Sequence, residues 1–88
     1  MATKVMTLEI ISPEKRVFLG DVSQVKFPGG QSPFTILPGH APLISSLVAG
    51  VISWRNDDGD MQLQVSGGFV EIVNNKITAC VEVFNNNG

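Results

Sequence analysis

Short runs of alternating apolar and polar residues recur along the chain. The clearest alternation lies in residues 6–10, 23–27 and 61–65. A period of two residues is typical of strands with one buried face. No stretch of the sequence shows the 3.6-residue apolar period of a helix, so the pattern predicts an all-β protein.

Turn-forming residues separate these runs. Asp-Gly within residues 56–60 and Asn-Asn at residues 74–75 each predict a hairpin, because these residues tolerate the backbone angles of tight turns. Breaks are also expected at Gly50 and at residues 66–68. The predicted strands are residues 6–10, 17–19, 23–27, 36–37, 43–48, 51–55, 61–65, 69–73 and 76–83. Roughly eight to ten short strands predict a β-sandwich or flattened barrel of short antiparallel strands.

Residues 31–42 have an unusual composition. Pro33, Pro38 and Pro42 exclude a helix there, because proline lacks an amide hydrogen and clashes with the preceding helical turn. We predict a structured loop with a very short strand. The residues predicted to hold turns, here and later in the chain, are Gly39, Pro42, Gly67 and Gly68.

The composition is that of one folded domain. The chain has 88 residues, of which 43% are hydrophobic and 16% charged, a mixture that suits a packed core. We assign residues 1–84 to a β-sandwich domain and residues 85–88 to a flexible tail. No stretch reaches the roughly 20 apolar residues of a transmembrane helix.

The charge and cysteine counts argue against several functions. The net charge is −2, and six scattered lysines and arginines form no basic stripe, so we expect no nucleic-acid partner. Cys80 is the single cysteine, which rules out an internal disulfide. One histidine and one cysteine cannot form a typical structural zinc site, and we expect no metal or cofactor.

The sequence gives only weak evidence for catalytic residues. His40 and Ser66 could suggest a hydrolase, but the Gly-x-Ser-x-Gly elbow of such enzymes is absent. Asp57, Asp58 and Asp60 lack the spacing of a calcium loop and fit a solvated hairpin tip. The aromatic residues fall singly on predicted strands and are expected in the core. The residues alone therefore favour an interaction module without bond chemistry.

Three motifs carry a family resemblance. They are LEIISPE at residues 8–14, ILPGHAPL at residues 36–43 and VSGGFVE at residues 65–71. In this order and spacing they resemble the epsilon subunit of F-type ATP synthases across nearly the whole chain. The second and third motifs form a specific pair, whereas either alone would be weak.

The resemblance implies a ten-stranded β-sandwich at the foot of the central stalk. It implies binding to the gamma subunit on one side, to the polar loops of the membrane c-ring on another, and to the alpha3beta3 head only indirectly. In that role the domain links proton-driven rotation of the ring to gamma, supports ATP synthesis and is not itself catalytic. The resemblance places it on the cytoplasmic face of a bacterial inner membrane or, alternatively, on the stromal face of a thylakoid.

Positions within or beside the matching motifs supply candidate contacts. The resemblance implies a gamma interface at Ser12, His40, Ser45, Ser66 and Glu71. The c-ring-facing loop is Gln31, Ser32 and Pro33. This loop is uncharged where many family members are acidic, so its contact would rest on hydrogen bonds and packing.

Two expectations concern what lies outside these motifs. Family members usually continue into an inhibitory C-terminal helical hairpin, and we expect neither inhibition nor nucleotide binding from a chain that stops at Gly88. The alternative to a rotor subunit is a free-standing β-sandwich that binds a protein or a small ligand.

Overall fold

A computed structural model describes residues 5–83 and contains strands, turns and bends but no helix within that range. The all-β prediction is therefore confirmed. The predicted tail, residues 85–88, lies outside the described residues. The strands are β1 (Met6–Ile11), β2 (Arg16–Val22), β3 (Gln24–Phe27), β4 (Phe34–Ile36), β5 (Leu43–Asn56), β6 (Gly59–Val73) and β7 (Lys76–Val83).

The strands form one hydrogen-bonded sheet in the order β2-β1-β7-β6-β5-β3-β4. Neighbouring strands are antiparallel except β1 and β7, which are parallel. The expected ten short antiparallel strands are thus corrected to seven strands with one parallel pair. The count is lower because β5 runs through Gly50 and β6 through Gly67 and Gly68, where breaks were predicted.

The two longest strands form a ribbon that spans the molecule. β5 and β6 pair without interruption of register from Leu43 opposite Ile72 to Asn56 opposite Gly59. The buried positions change parity along the ribbon: Leu47 is buried in its first half, and Ile52 is buried in its second half. The two halves therefore direct opposite faces of the ribbon toward the core.

The core joins the two halves of the folded sheet. Phe18 on β2 contacts Trp54 on β5 with ring centroids 4.8 Å apart, although three strands separate β2 from β5 in the hydrogen-bonding order. The sheet therefore folds over on itself. The buried hydrophobic residues are Met6, Leu8, Ile10, Val22, Val25, Phe27, Ile36, Leu47, Ile52, Trp54, Val65, Val70, Ile72, Ile77, Ala79 and Val81.

Both predicted hairpins are confirmed. Asn74 and Asn75 have φ angles of 51° and 62°, as a two-residue turn between β6 and β7 requires. The other loop is shorter than expected, because Asn56 pairs with Gly59 and only two residues lie between them. The Asn56 side chain accepts a hydrogen bond from the Asp58 amide at 2.8 Å, which closes this tip.

Candidate protein-interaction surface

A tight turn follows β4 at residues 37–40, and we call it the Pro-Gly turn. The His40 amide donates to the Leu37 carbonyl at 3.2 Å, and Gly39 has a φ of 88°. Proline at the second position and glycine at the third are the preferred residues of a type II turn. An added Cβ at Gly39 would meet nothing within 4 Å, so the glycine serves the backbone angle rather than a close contact.

The Pro-Gly turn lies against the β6–β7 hairpin. The Gly39 amide donates to the side-chain oxygen of Asn75 at 2.7 Å, across a separation of 36 residues. This contact brings the first and second halves of the chain together at one end of the molecule. Sequence reasoning missed it, because nothing in a turn-forming asparagine indicates a distant partner.

His40 is exposed at this end of the molecule. Its Nδ1–H donates to the Ala41 carbonyl at 2.7 Å in the tautomer that makes this bond, so Nε2 is directed elsewhere. Pro42, also exposed, precedes the first residue of β5. A protein partner could therefore contact this turn without any rearrangement of the core.

Ser12 has a different environment from the other interface candidates. It is only 8% exposed and lies in the connection between β1 and β2. Its hydroxyl donates to the Lys15 carbonyl at 3.1 Å and accepts from the Lys15 amide at 3.3 Å. These bonds close the loop, and they favour a structural role for the hydroxyl over a partner contact.

The three remaining candidates lie on β5 and β6. Glu71 is exposed and pairs with Ile44 on one side and Thr78 on the other. Ser45 is half-buried, and its hydroxyl donates to the Ser46 carbonyl at 3.0 Å. Ser66 is exposed, its hydroxyl donates to the Glu82 carbonyl at 3.3 Å, and it sits where the β6–β7 register shifts.

Gly67 and Gly68 require a correction. They do not form a separate turn but lie within β6, and only Gly68 has a positive φ, at 145°. An added Cβ at Gly68 would overlap the Cys80 carbonyl oxygen, whereas at Gly67 the nearest atom would be 3.6 Å away. Only Gly68 is required by both its backbone angle and the close approach of β7.

The uncharged loop of Gln31, Ser32 and Pro33 is exposed. Its base is tied to β5, because the Gly30 amide donates to the Ser46 carbonyl at 3.2 Å and the Val48 amide donates to the Pro28 carbonyl at 2.9 Å. The loop therefore projects from an ordered base. No ion pair within residues 5–83 involves it.

An exposed apolar surface is the feature that sequence reasoning missed. Ile44 is 72% exposed and Phe69 is 51% exposed, and Val48 is also exposed. Phe69 pairs with Ser46 on β5 and with Cys80 on β7. The expectation that all aromatic residues lie in the core is wrong for Phe69. The missed signal was apolar residues on both parities of β6, at 69–70 and again at 72–73.

We call this surface the apolar outer face. It consists of Ile44, Val48 and Phe69 with half-buried Cys80 and Ile11, which pairs with Cys80 across β7 and β1. An open groove of about 510 Å³ runs beside Phe69 and is also lined by Ile11, Pro13 and Cys80. An apolar surface that spans four neighbouring strands is typical of a protein contact.

The comparison with known families agrees with this architecture. A family model described as the β-sandwich domain of the ATP synthase delta/epsilon chain matches residues 5–87. The match covers nearly the whole chain. The chain belongs to this family. The resemblance expected from the three motifs is thereby confirmed, and so is the β-sandwich class.

The curated relatives that this chain matches are ATP synthase epsilon chains. The one from Pelotomaculum thermopropionicum is 40% identical over 89% of this chain and 58% of the relative. The one from Desulfitobacterium hafniense is 44% identical over 82% of this chain and 54% of the relative. The one from Leptospira interrogans is 40% identical over 89% of this chain and 61% of the relative. The chain thus spans a little over half the length of these relatives.

Solved structures support the same fold. A chain of the Euglena gracilis mitochondrial ATP synthase has a TM-score of 0.83 at 16% identity, over 90% of this chain and 51% of that chain. A chain of the Tetrahymena thermophila central stalk and c-ring has a TM-score of 0.73 at 18% identity, over 91% of this chain and 66% of that chain. At these identities the likeness establishes the fold alone.

Other kinds of site receive no support from the described residues. Residues 5–83 contain no group of three or more histidine, cysteine, aspartate or glutamate side chains placed to hold a metal ion. The same part of the chain contains no helix of the length and hydropathy needed to cross a membrane.

Proposed function

We propose that the chain is the β-sandwich domain of an ATP synthase epsilon subunit and acts as a non-catalytic element of the central stalk. It binds gamma on one side and the polar loops of the c-ring on another, so that ion-driven rotation of the ring reaches gamma and drives ATP synthesis. The exposed apolar outer face, in a chain whose relatives are epsilon chains, is the observation that carries this proposal.

The apolar outer face suits the contact with gamma. Ile44 and Phe69 lie in adjacent strands at neighbouring rows of the ladder, where burial of their exposed area would stabilise a complex. Burial contributes roughly 25 cal/mol per Å² of apolar surface, before the cost of association is subtracted. Glu71 pairs with Ile44 and supplies a polar group at the margin, as interface rims usually do.

The end of the molecule that holds the Pro-Gly turn is a further exposed region available for contact. Leu37 is 52% exposed and His40 is exposed, and the turn is joined to Asn75 of the hairpin that follows β6. We assign His40, Ser66 and Glu71 to the gamma side as contact candidates. Ser45 pairs with fully buried Val70, on the face of β5 opposite to Ile44, and is therefore a weaker candidate. Ser12 contributes to the shape of the β1–β2 loop.

A second contact, with the c-ring, is assigned to Gln31, Ser32 and Pro33. These residues are exposed and project from a base bonded to β5. The loop has no formal charge, so the contact would depend on hydrogen bonds and packing and would change little with ionic strength. The complex would lie on the cytoplasmic face of a bacterial membrane, which the bacterial relatives favour over a thylakoid.

The alternative is a free-standing β-sandwich that binds a protein or small ligand through the groove beside Phe69. The two functions predict different proteins bound to the chain. A rotor subunit is recovered from membranes with gamma, whereas an independent module is recovered alone or with an unrelated partner.

The test is affinity purification of the tagged chain from detergent-solubilised membranes of its source organism, read by mass spectrometry. The proposal predicts recovery of gamma, the alpha and beta subunits and the c subunit. The same tag on an unrelated β-sandwich is the control. Recovery of the chain without any of these subunits would overturn the rotor assignment.

A further inference from the structure

We propose that Asn75 is a positioning residue that holds the Pro-Gly turn against the β6–β7 hairpin and so fixes how His40 meets a protein partner. The contacts of Asn75 support the first part, that it holds the turn. The second part, the effect on a partner, rests on the proposed binding to gamma.

The Pro-Gly turn has little packing to hold it in place. Leu37 is 52% exposed, and residues 39–42 are all exposed. The core holds the flanking residues Ile36 and Leu43, but the turn between them gains little from burial. Among the hydrogen bonds of residues 5–83, the Gly39–Asn75 bond at 2.7 Å is the one that joins residues 37–42 to another element. Its loss would leave the turn attached only through its own chain ends.

Asn75 is well placed to act as a fixed point. Its φ of 62° is imposed by the two-residue hairpin, and its backbone carbonyl accepts from the Thr7 amide at 2.9 Å. The residue is therefore held by β1 as well as by the hairpin. Its side-chain oxygen then reaches a third segment, so one residue connects β1, the β6–β7 hairpin and the Pro-Gly turn.

The two roles of Asn75 can be separated by substitution. Glycine adopts positive φ at no steric cost, and Asn-Gly is the preferred pair for a hairpin turn of this kind. Asn75→Gly should therefore keep the hairpin and the backbone bond to Thr7 while it removes the bond to Gly39. Asn75→Asp keeps an acceptor, and aspartate also tolerates this backbone region.

Asn74→Gly is the matched control. Asn74 has a φ of 51° in the same turn, and its side chain makes no hydrogen bond within the described residues. The control therefore makes the same chemical change one residue away and leaves the bond to Gly39 intact.

The first readout is the hydrogen-exchange rate of the Gly39 amide, measured by NMR on the 88-residue chain. One lost hydrogen bond corresponds to roughly a fivefold change in an equilibrium, so Asn75→Gly should speed exchange by roughly fivefold or more. Asn75→Asp and Asn74→Gly should stay within about twofold of wild type. Unchanged Gly39 exchange in Asn75→Gly, with the hairpin amides still protected, would show that Asn75 does not hold the Pro-Gly turn.

The second readout is affinity for purified gamma subunit from the same organism. Asn75→Gly should weaken binding several-fold relative to Asn74→Gly, and Asn75→Asp should restore it. Faster Gly39 exchange with unchanged affinity would overturn the second part of the inference. If wild type itself does not bind gamma, the proposed function fails, and the exchange rates still decide whether Asn75 holds the Pro-Gly turn.

Discussion

The two halves of the β5–β6 ribbon share the same two strands but present different surfaces. In the half that continues into β7, the outward positions include Ile44, Val48 and Phe69. In the half next to β3, the outward pairs are Val51 with Gln64, Ser53 with Gln62 and Arg55 with Asp60. We call the second surface the polar outer face.

The two halves differ in their outward residues and not in their need for a core. Both halves need an apolar inner face, because the shared core is built from each of them. The outward positions of the half with Phe69 carry three exposed large apolar residues, Ile44, Val48 and Phe69, whereas Val51 is the one large apolar residue among the outward pairs of the other half. Contiguous exposed apolar surface marks interaction sites in soluble proteins. The difference supports the proposal that the apolar outer face binds a partner, and it leaves the polar outer face as a mainly solvated surface.

The largest expected effect comes from Gly68, the residue that lets β6 approach β7 beneath the apolar outer face. Gly68→Val would force a β-branched side chain to a φ of 145° and against the Cys80 carbonyl. Strain and overpacking together should cost at least about 3 kcal/mol of unfolding free energy. Urea unfolding followed by Trp54 fluorescence measures it.

Gly67→Ala is the control for that variant. Gly67 has no positive φ, and its added Cβ would make only ordinary contact with the Leu47 carbonyl at 3.6 Å. It should cost less than about 1 kcal/mol. Equal losses in Gly67→Ala and Gly68→Val would show that the close approach of β7 is not what requires the glycine.

A smaller effect is expected at Cys80, which pairs with Phe69 and is the single thiol of the chain. If gamma covers the apolar outer face, the rate of alkylation of Cys80 by iodoacetamide should fall at least tenfold in the complex. The control is Ser53→Cys in a Cys80→Ala background, which places the thiol on the polar outer face. Equal protection of both thiols would contradict the assignment of two different surfaces.

The smallest effect is expected on the polar outer face. Arg55 and Asp60 form an ion pair with Nε and Oδ1 2.9 Å apart, but their side chains are 57% and 71% exposed. Solvent screening makes such pairs weak, so Arg55→Ala should change the unfolding free energy by less than about 0.5 kcal/mol. Gamma affinity should not change. If Arg55→Ala weakened gamma binding as much as a substitution of Phe69 does, the proposal that gamma binds only the apolar outer face would be contradicted.

Much of the fold could be predicted because its signals are local. Alternation identified β1 and β3, and Asn74-Asn75 identified the turn that joins β6 to β7. The predicted breaks at Gly50 and Gly68 were wrong because the flanking strands supply hydrogen bonds across these glycines. The presence of a glycine in the sequence does not show whether the adjacent strands continue the hydrogen-bonded ladder past it.

The candidate interaction surface was harder to predict because it depends on tertiary structure. The exposure of Phe69 follows from the parity of the buried positions in β6, which is evident only once Val70 and Ile72 are known to face the core. The Gly39–Asn75 bond joins residues 36 positions apart. Ser12 matched a family motif, yet its hydroxyl proved to be used within its own loop.

The most direct test is the affinity of gamma for two variants of the ribbon. Phe69→Asp and Val51→Asp each add one carboxylate at an exposed apolar position, 51% and 42% exposed, one on each outer face. Both should fold, as thermal unfolding can verify. We predict that Phe69→Asp weakens binding by roughly thirtyfold or more, as loss of an interface anchor does, and that Val51→Asp changes it less than about threefold. Equal affinities, or a larger loss for Val51→Asp, would contradict the account.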